Sequence, residues 1–172
     1  MNVHKKAANS ALKQICKFLN FNCTSELVVD NDQDFNHCKN TTCIYLKDAP
    51  SKKQPCTCLN RKYIRVVNIN QDSKQTDLYR LYYQLGHEVG HQYFNTMKIS
   101  SLEDETLACY LSIVCVLKFL PECEATSYIK RCIESAENIY KYAMSKAFEA
   151  YETLDGTLDK EKILNFINTY EP

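Results

Sequence analysis

A chain of 172 residues with 21 basic and 21 acidic side chains carries no net charge. No whole-molecule field therefore draws it to nucleic acid or to an anionic membrane, and no unbroken apolar run is long enough to form a membrane span. The length suits one domain over residues 1–172, read as a core (1–122) with a helical C-terminal extension (123–172). The basic start, Met1 to Lys6, is followed by Ala7 to Gln14, which lacks the apolar stretch of a secretory signal. A cytoplasmic location is the corresponding expectation.

In chain order, Ala7 to Phe21 reads as a helix with Ala8, Leu12, Ile15, Cys16 and Leu19 on one side. Glu26 to Asp30 is a short strand, closed by the polar run Asp30 to Asn36. Cys43 to Leu46 is a second strand and Ala49 to Pro55 a loop. Lys62 to Ile69, rich in β-branched residues, is the clearest strand. A helix capped by Thr76 or Asp77 then carries Leu78, Leu81, Tyr82, Leu85, Val89 and Tyr93 at three- and four-residue intervals. The periodicity predicts further helices over about Leu102 to Leu120, stopped by Pro121, about Thr126 to Tyr151, and about Asp159 to Tyr170 after an Asp155-Gly156 turn. The last turn lacks the carboxylates of a calcium loop, since Tyr151 and Lys162 stand at its first and twelfth places. The class is α+β: a compact domain with a small sheet on one long helix, a second long helix behind it, and extra C-terminal helices.

Ten cysteines are many for this length. Cys109 and Cys115 fall in an apolar helical run and read as small buried hydrophobes. The spacing of Cys38, Cys43, Cys56 and Cys58 matches no common zinc motif. Asn22-Cys23-Thr24 and Asn40-Thr41-Thr42 fit the glycosylation sequon, which matters only on a secretory route.

The chemistry is concentrated in His87-Glu88-Val89-Gly90-His91. On a helix the two histidines stack on adjacent turns of one face and can reach one metal ion. Glu88 is turned to a flank, where it can touch a metal-activated water without sharing the metal. This is the HExxH arrangement of zinc metallopeptidases. Gly86 and Gly90 weaken the helix by about 1 kcal/mol each relative to alanine, so a close approach of neighbouring backbone or substrate is expected there.

Catalytic zinc usually has three protein ligands. The extended pattern with a downstream glycine and third histidine is excluded, because Phe94 and Met97 occupy those places. A carboxylate at the start of the next helix is the alternative. The face above Glu105 carries Ala108, Cys109 and Ser112, small enough for close packing on the motif helix. Glu103 leads to Leu107 and Tyr110 and is also placed to cap against Ser100, while Asp104 shares a face with Leu107, Ala108 and Leu111. The expected metal ligands are therefore His87, His91 and Glu105, with Glu103 and Asp104 as alternatives. The expected activity is zinc-assisted hydrolysis of a protein or peptide substrate, with Glu88 as general base. An oxyanion donor is also needed; the tyrosines, His4 and His37 supply candidates, and Tyr93 reads as core.

The region from Tyr63 to Pro121 resembles the ImmA/IrrE-type metallopeptidases of the wider gluzincin group. The likeness rests on a strand, Tyr63 to Asn68, leading to Leu85-Gly86-His87-Glu88-Val89-Gly90-His91. It continues in Glu105-Thr106-Leu107-Ala108-Cys109-Tyr110-Leu111-Ser112, similar to the family pattern ExxANxFA, and in Leu120-Pro121. Cys109 stands where the family usually has asparagine, and Leu111 and Ser112 replace Phe and Ala. The resemblance implies a zincin fold, with Glu105 on the ligand glutamate. It also implies substrates among repressors or other regulators. The competing expectation is a non-catalytic protein-binding or regulatory module on a zincin scaffold.

Overall fold

The computed structural model describes residues 3–30, 56–57, 63–67, 69, 76–95 and 101–169. The chain is mostly helical with a small sheet, an α+β arrangement. Among the described residues, six helices and three strands follow in the order α1 (Val3–Phe18), β1 (Glu26–Asp30), β2 (Cys56–Thr57), β3 (Tyr63–Val67), α2 (Leu78–Tyr93), α3 (Leu102–Phe119), α4 (Glu122–Ser135), α5 (Asn138–Leu154) and α6 (Lys160–Thr169).

The sheet has the strand order β1-β3-β2. β1 runs parallel to β3, with Leu27 opposite Ile64 and Val29 opposite Val66, and β2 pairs antiparallel on the other side. Central position explains why Ile64, Arg65, Val66 and Val67 are all buried, without the alternation of a half-exposed strand. Gln84 ties this strand to α2. Its Nε2 donates to the Val67 carbonyl and its Oε1 accepts from the Val67 amide, both at 2.8 Å. A buried primary amide thus satisfies both polar groups of one strand residue and fixes α2 against the sheet.

α3 is the central helix. Every residue from Glu105 to Val116 is buried, as expected of a helix that is apolar on all sides. It packs along α2 on one flank and along α5 on another. The α2–α3 contact is close because both faces are small. A Cβ added at Gly86 would lie 2.8 Å from the Ser112 Cα and 3.0 Å from the Leu111 carbonyl oxygen; one at Gly90 would lie 3.0 Å from the Ala108 Cα. Buried hydrophobic residues from Ala8 on α1 to Ile167 on α6 form one continuous cluster.

Three sequence expectations are corrected. The first helix spans Val3–Phe18, three to four residues earlier than periodicity placed it. Its added N-terminal turn is held by buried His4, whose Nδ1 lies 2.9 Å from the Thr76 hydroxyl. The single helix expected from Thr126 to Tyr151 is two, α4 and α5, broken at Ala136 and Glu137. No Gly or Pro marks that break; instead Asn138 adopts a left-handed φ of 55°, which asparagine tolerates better than most residues. The α3 cap is Ser101, whose hydroxyl accepts from the Asp104 amide at 3.0 Å, rather than a Ser100–Glu103 box. β2 was not anticipated, being only two residues long. The expected strand at Cys43 to Leu46 and most of the Cys38, Cys43, Cys56, Cys58 set lie outside the described residues.

Candidate metal centre

The site is built from two helix segments. Asp77 caps α2, its carboxylate accepting from the Arg80 amide at 3.0 Å, and the helix then runs unbroken through His87 and His91. Their spacing of four stacks the rings on adjacent turns. The ring centroids are 4.8 Å apart at 83°, and the two Nε2 atoms lie 3.2 Å from each other. Glu105 reaches the same point from the first turn of α3. Its Oε2 is 3.3 Å from the His87 Nε2 and its Oε1 is 3.8 Å from the His91 Nε2. Exposure is 8% for His87 and 3% for both His91 and Glu105. Glu103 is exposed and Asp104 half-buried, so neither alternative shares this position with the histidines.

The donor set fits a tetrahedral cation. Metal–ligand bonds of about 2.0–2.1 Å at tetrahedral angles require ligand atoms about 3.3–3.4 Å apart. The three donors lie within 4.8 Å of one another, and the closest pairs are already at that spacing. Among the described residues, no other group of three His, Cys, Asp or Glu side chains converges in this way. A carboxylate this buried needs a compensating charge, which a proton on the imidazoles or a shared cation would provide.

Surrounding side chains hold the rings. The His87 Nδ1, the nitrogen turned away from the cluster, is 3.8 Å from the Cys109 Sγ. Burial opposes protonation of His87, but the Cys109 thiol and the Glu105 carboxylate outweigh it and hold its pKa well above the ordinary imidazole range. Cys109 also hydrogen-bonds Tyr83, whose phenol is pushed up first by burial and then by the thiols and Tyr128 around it. Gln92, next to His91, is held by Ser25: its Nε2 donates to the serine hydroxyl at 2.9 Å.

The remaining expected residues fall as follows. Glu88 is buried at 3% exposure on α2, between Gly86–His87 and Val89 of the packed helix. Tyr93 is partly buried and packs against the core, edge-on to Phe21 and Phe94. His4 is engaged with Thr76 before the start of α2, eleven residues ahead of His87 and therefore about 16 Å away along the helix axis, so it does not serve the cluster. His37 lies outside the described residues.

Two neighbours were not singled out by sequence. Cys109 was legible in part, since it stands four residues after Glu105 on the same helical face. Tyr140 was not. It is 40% exposed near the start of α5. Its phenol is raised first by partial burial, then by the charge of Glu105, with His87 lowering it and Glu88 raising it. No protein-family model, curated protein or solved structure matches this chain.

Proposed function

We propose that this chain is a zinc-dependent peptidase on a zincin-like scaffold of the gluzincin type, with His87, His91 and Glu105 as metal ligands and Glu88 as general base. The observation that carries the reading is the convergence of two imidazole nitrogens and one buried carboxylate within 4.8 Å, with two of the pairs at tetrahedral-ligand spacing. When bound, zinc supplies a Lewis acid that lowers the pKa of water and polarises a carbonyl.

The chain's own residues do the rest. Glu88 is adjacent to His87 and outside the converging set, and its carboxylate is assigned to proton transfer. Its Oε atoms take a proton from the attacking water and later return one to the leaving amine nitrogen. Tyr140, partly exposed near the start of α5 and influenced by the charges of Glu105, His87 and Glu88, is the assigned donor of a phenolic hydrogen to the scissile carbonyl oxygen as negative charge develops there. Cys109 orients His87 through Nδ1, the position at which metal-binding histidines are commonly held by a second group. Gln84 holds the motif helix in register with β3. The substrate is a protein or peptide chain.

Metal analysis and a cleavage assay test this together. The purified chain should carry about one zinc ion, lost in a His87→Ala/His91→Ala double variant. Glu88→Gln should retain the metal and lose hydrolysis of a fluorogenic peptide library. Unchanged zinc content in the double variant would overturn the ligand assignment. A wild-type chain that binds zinc and cleaves nothing in the library would leave a binding module on the same scaffold.

A further inference from the structure

A second chemical feature lies where α1 meets β1. α1 ends at Phe18, and Asn20 takes a left-handed φ of 48° that turns the chain back along the helix. The turn is closed by the Phe21 amide, which donates to the Cys16 carbonyl at 2.9 Å. This reversal brings Cys23 against Cys16, so that the two side chains hydrogen-bond each other and the Cys16 sulfur also meets the Cys23 backbone amide. Both are free thiols and only half-buried, whereas Cys109 and Cys115 are sealed in the core. Cys23 has a further contact: its Sγ donates to the Gln92 Oε1 at 3.6 Å, one residue from His91.

We propose that Cys16 and Cys23 form a redox-active dithiol, which a small-molecule disulfide converts to an intramolecular Cys16–Cys23 disulfide. The environment separates the roles of the two sulfurs. The hydrogen bond from Cys16, helped by the Ser25 amide and hydroxyl and opposed by burial, lowers the Cys23 pKa to about 6. The same bond and burial push Cys16 well above the ordinary thiol range. Cys23, the sulfur that the Ser25 amide and hydroxyl also reach, is assigned as the attacking thiolate and Cys16 as the resolving thiol.

The exchange balances in two steps. The Cys23 thiolate attacks one sulfur of a disulfide RSSR, forming a mixed disulfide and expelling RS⁻. Cys16 then gives up its proton and attacks the Cys23 sulfur, expelling the second RS⁻. The two protons released by the cysteines end on the two RSH molecules. Two protein thiols are oxidised and one small disulfide is reduced. Closing the bond draws the Cys23 sulfur, which lies 3.6 Å from the Gln92 Oε1, into the Cys16 pair, so the redox change falls beside the neighbour of His91.

The test uses the full-length reduced chain and a graded series of oxidised to reduced glutathione, quenched by alkylation, digested with trypsin and read by mass spectrometry. Cleavage after Lys13, Lys17 and Lys39 separates peptide 14–17, which holds Cys16, from peptide 18–39, which holds Cys23 and Cys38. The expected product is these two peptides joined, with fragment ions placing the bond at Cys23, while Cys109 and Cys115 are alkylated only after denaturation. In Cys16→Ser the reaction should stall as the glutathione adduct of Cys23. In Cys23→Ser, modification of Cys16 should slow by roughly tenfold or more. Recovery of Cys16 and Cys23 as thiols, a wild-type reaction that stops at a mixed disulfide, or pairing of either with another cysteine would overturn the proposal. Equal reactivity of Cys16 in Cys23→Ser would overturn the assignment of roles. These readouts follow sulfur alone and do not depend on metal or peptidase activity.

Discussion

Glu105 differs from its acidic neighbours in one physical respect: it is the carboxylate of the Glu103-Asp104-Glu105 run that is buried against imidazole nitrogens. All three acids lie in the first turn of α3 and all interact favourably with its positive end. Only one can be a ligand from there. Loss of a group that merely orients a ligand costs about 10–100-fold in metal affinity, so loss of a ligand should cost at least about 100-fold. Glu105→Ala should therefore weaken zinc binding by at least about 100-fold in competition with a chromophoric chelator, and Glu103→Ala should leave it within about twofold. Equal effects would remove Glu105 from the site. Tyr110 poses the opposite case. Its ring is fully buried beside Tyr151, but its hydroxyl has no hydrogen-bond partner among the described residues. Removing an unsatisfied buried hydroxyl relieves a penalty of about 1–3 kcal/mol, so Tyr110→Phe should unfold at the same denaturant concentration as wild type or a higher one. A clear loss of stability would show that the hydroxyl is engaged.

At the scale of elements, the α2–α3 contact decides whether the candidate ligands meet. Gly86 and Gly90 sit where a helix would ordinarily prefer alanine, and the space for a methyl group is taken by α3 backbone. Alanine at either site should gain about 1 kcal/mol of helix propensity. At Gly86 that gain is outweighed, because the added Cβ would lie 2.8 Å from the Ser112 Cα, backbone that cannot swing aside. Overpacking of this kind costs about 1–3 kcal/mol, and parting the helices also separates Glu105 from the histidines. Gly86→Ala is thus expected to lower both the unfolding midpoint and zinc affinity, with a smaller effect at Gly90, whose nearest contacts are 3.0–3.3 Å. A Gly86→Ala chain at least as stable as wild type would contradict the close packing. This contact was legible in the sequence, since glycines on one helix and Ala108 and Ser112 on the next both mark small faces. The α4–α5 break was not, because it depends on a left-handed asparagine and not on Gly or Pro. Tyr140 stayed hidden for the same reason: without the break, it reads as the middle of one long helix and not as the start of α5.

For the molecule as a whole, the positions that could be read were those governed by helical period. The histidine pair, the face carrying Glu105, and the apolar run of α3 follow from local geometry that the sequence carries directly. The parallel pairing of β1 with β3 joins segments more than thirty residues apart, and the Gln84 bridge to Val67 depends on tertiary placement; neither has a local signature. The proposed metal centre spans that division, because its candidate ligands come from α2 and α3, which together form the middle of the hydrophobic cluster of the described residues. A cation bound there would bind the folded chain and not the unfolded one, where the donors are scattered. Its contribution to stability is then set by mass action, about 2.7 kcal/mol when free zinc is a hundred times its dissociation constant. Adding a strong chelator to the zinc-loaded protein should lower its thermal midpoint, and restoring zinc should reverse the change. The His87→Ala/His91→Ala variant, which also removes two rings from a packed interior, should start with a lower midpoint and show no response to either treatment. If chelator lowered the midpoint of that variant as much as that of wild type, the stabilising ion would have to sit elsewhere in the chain.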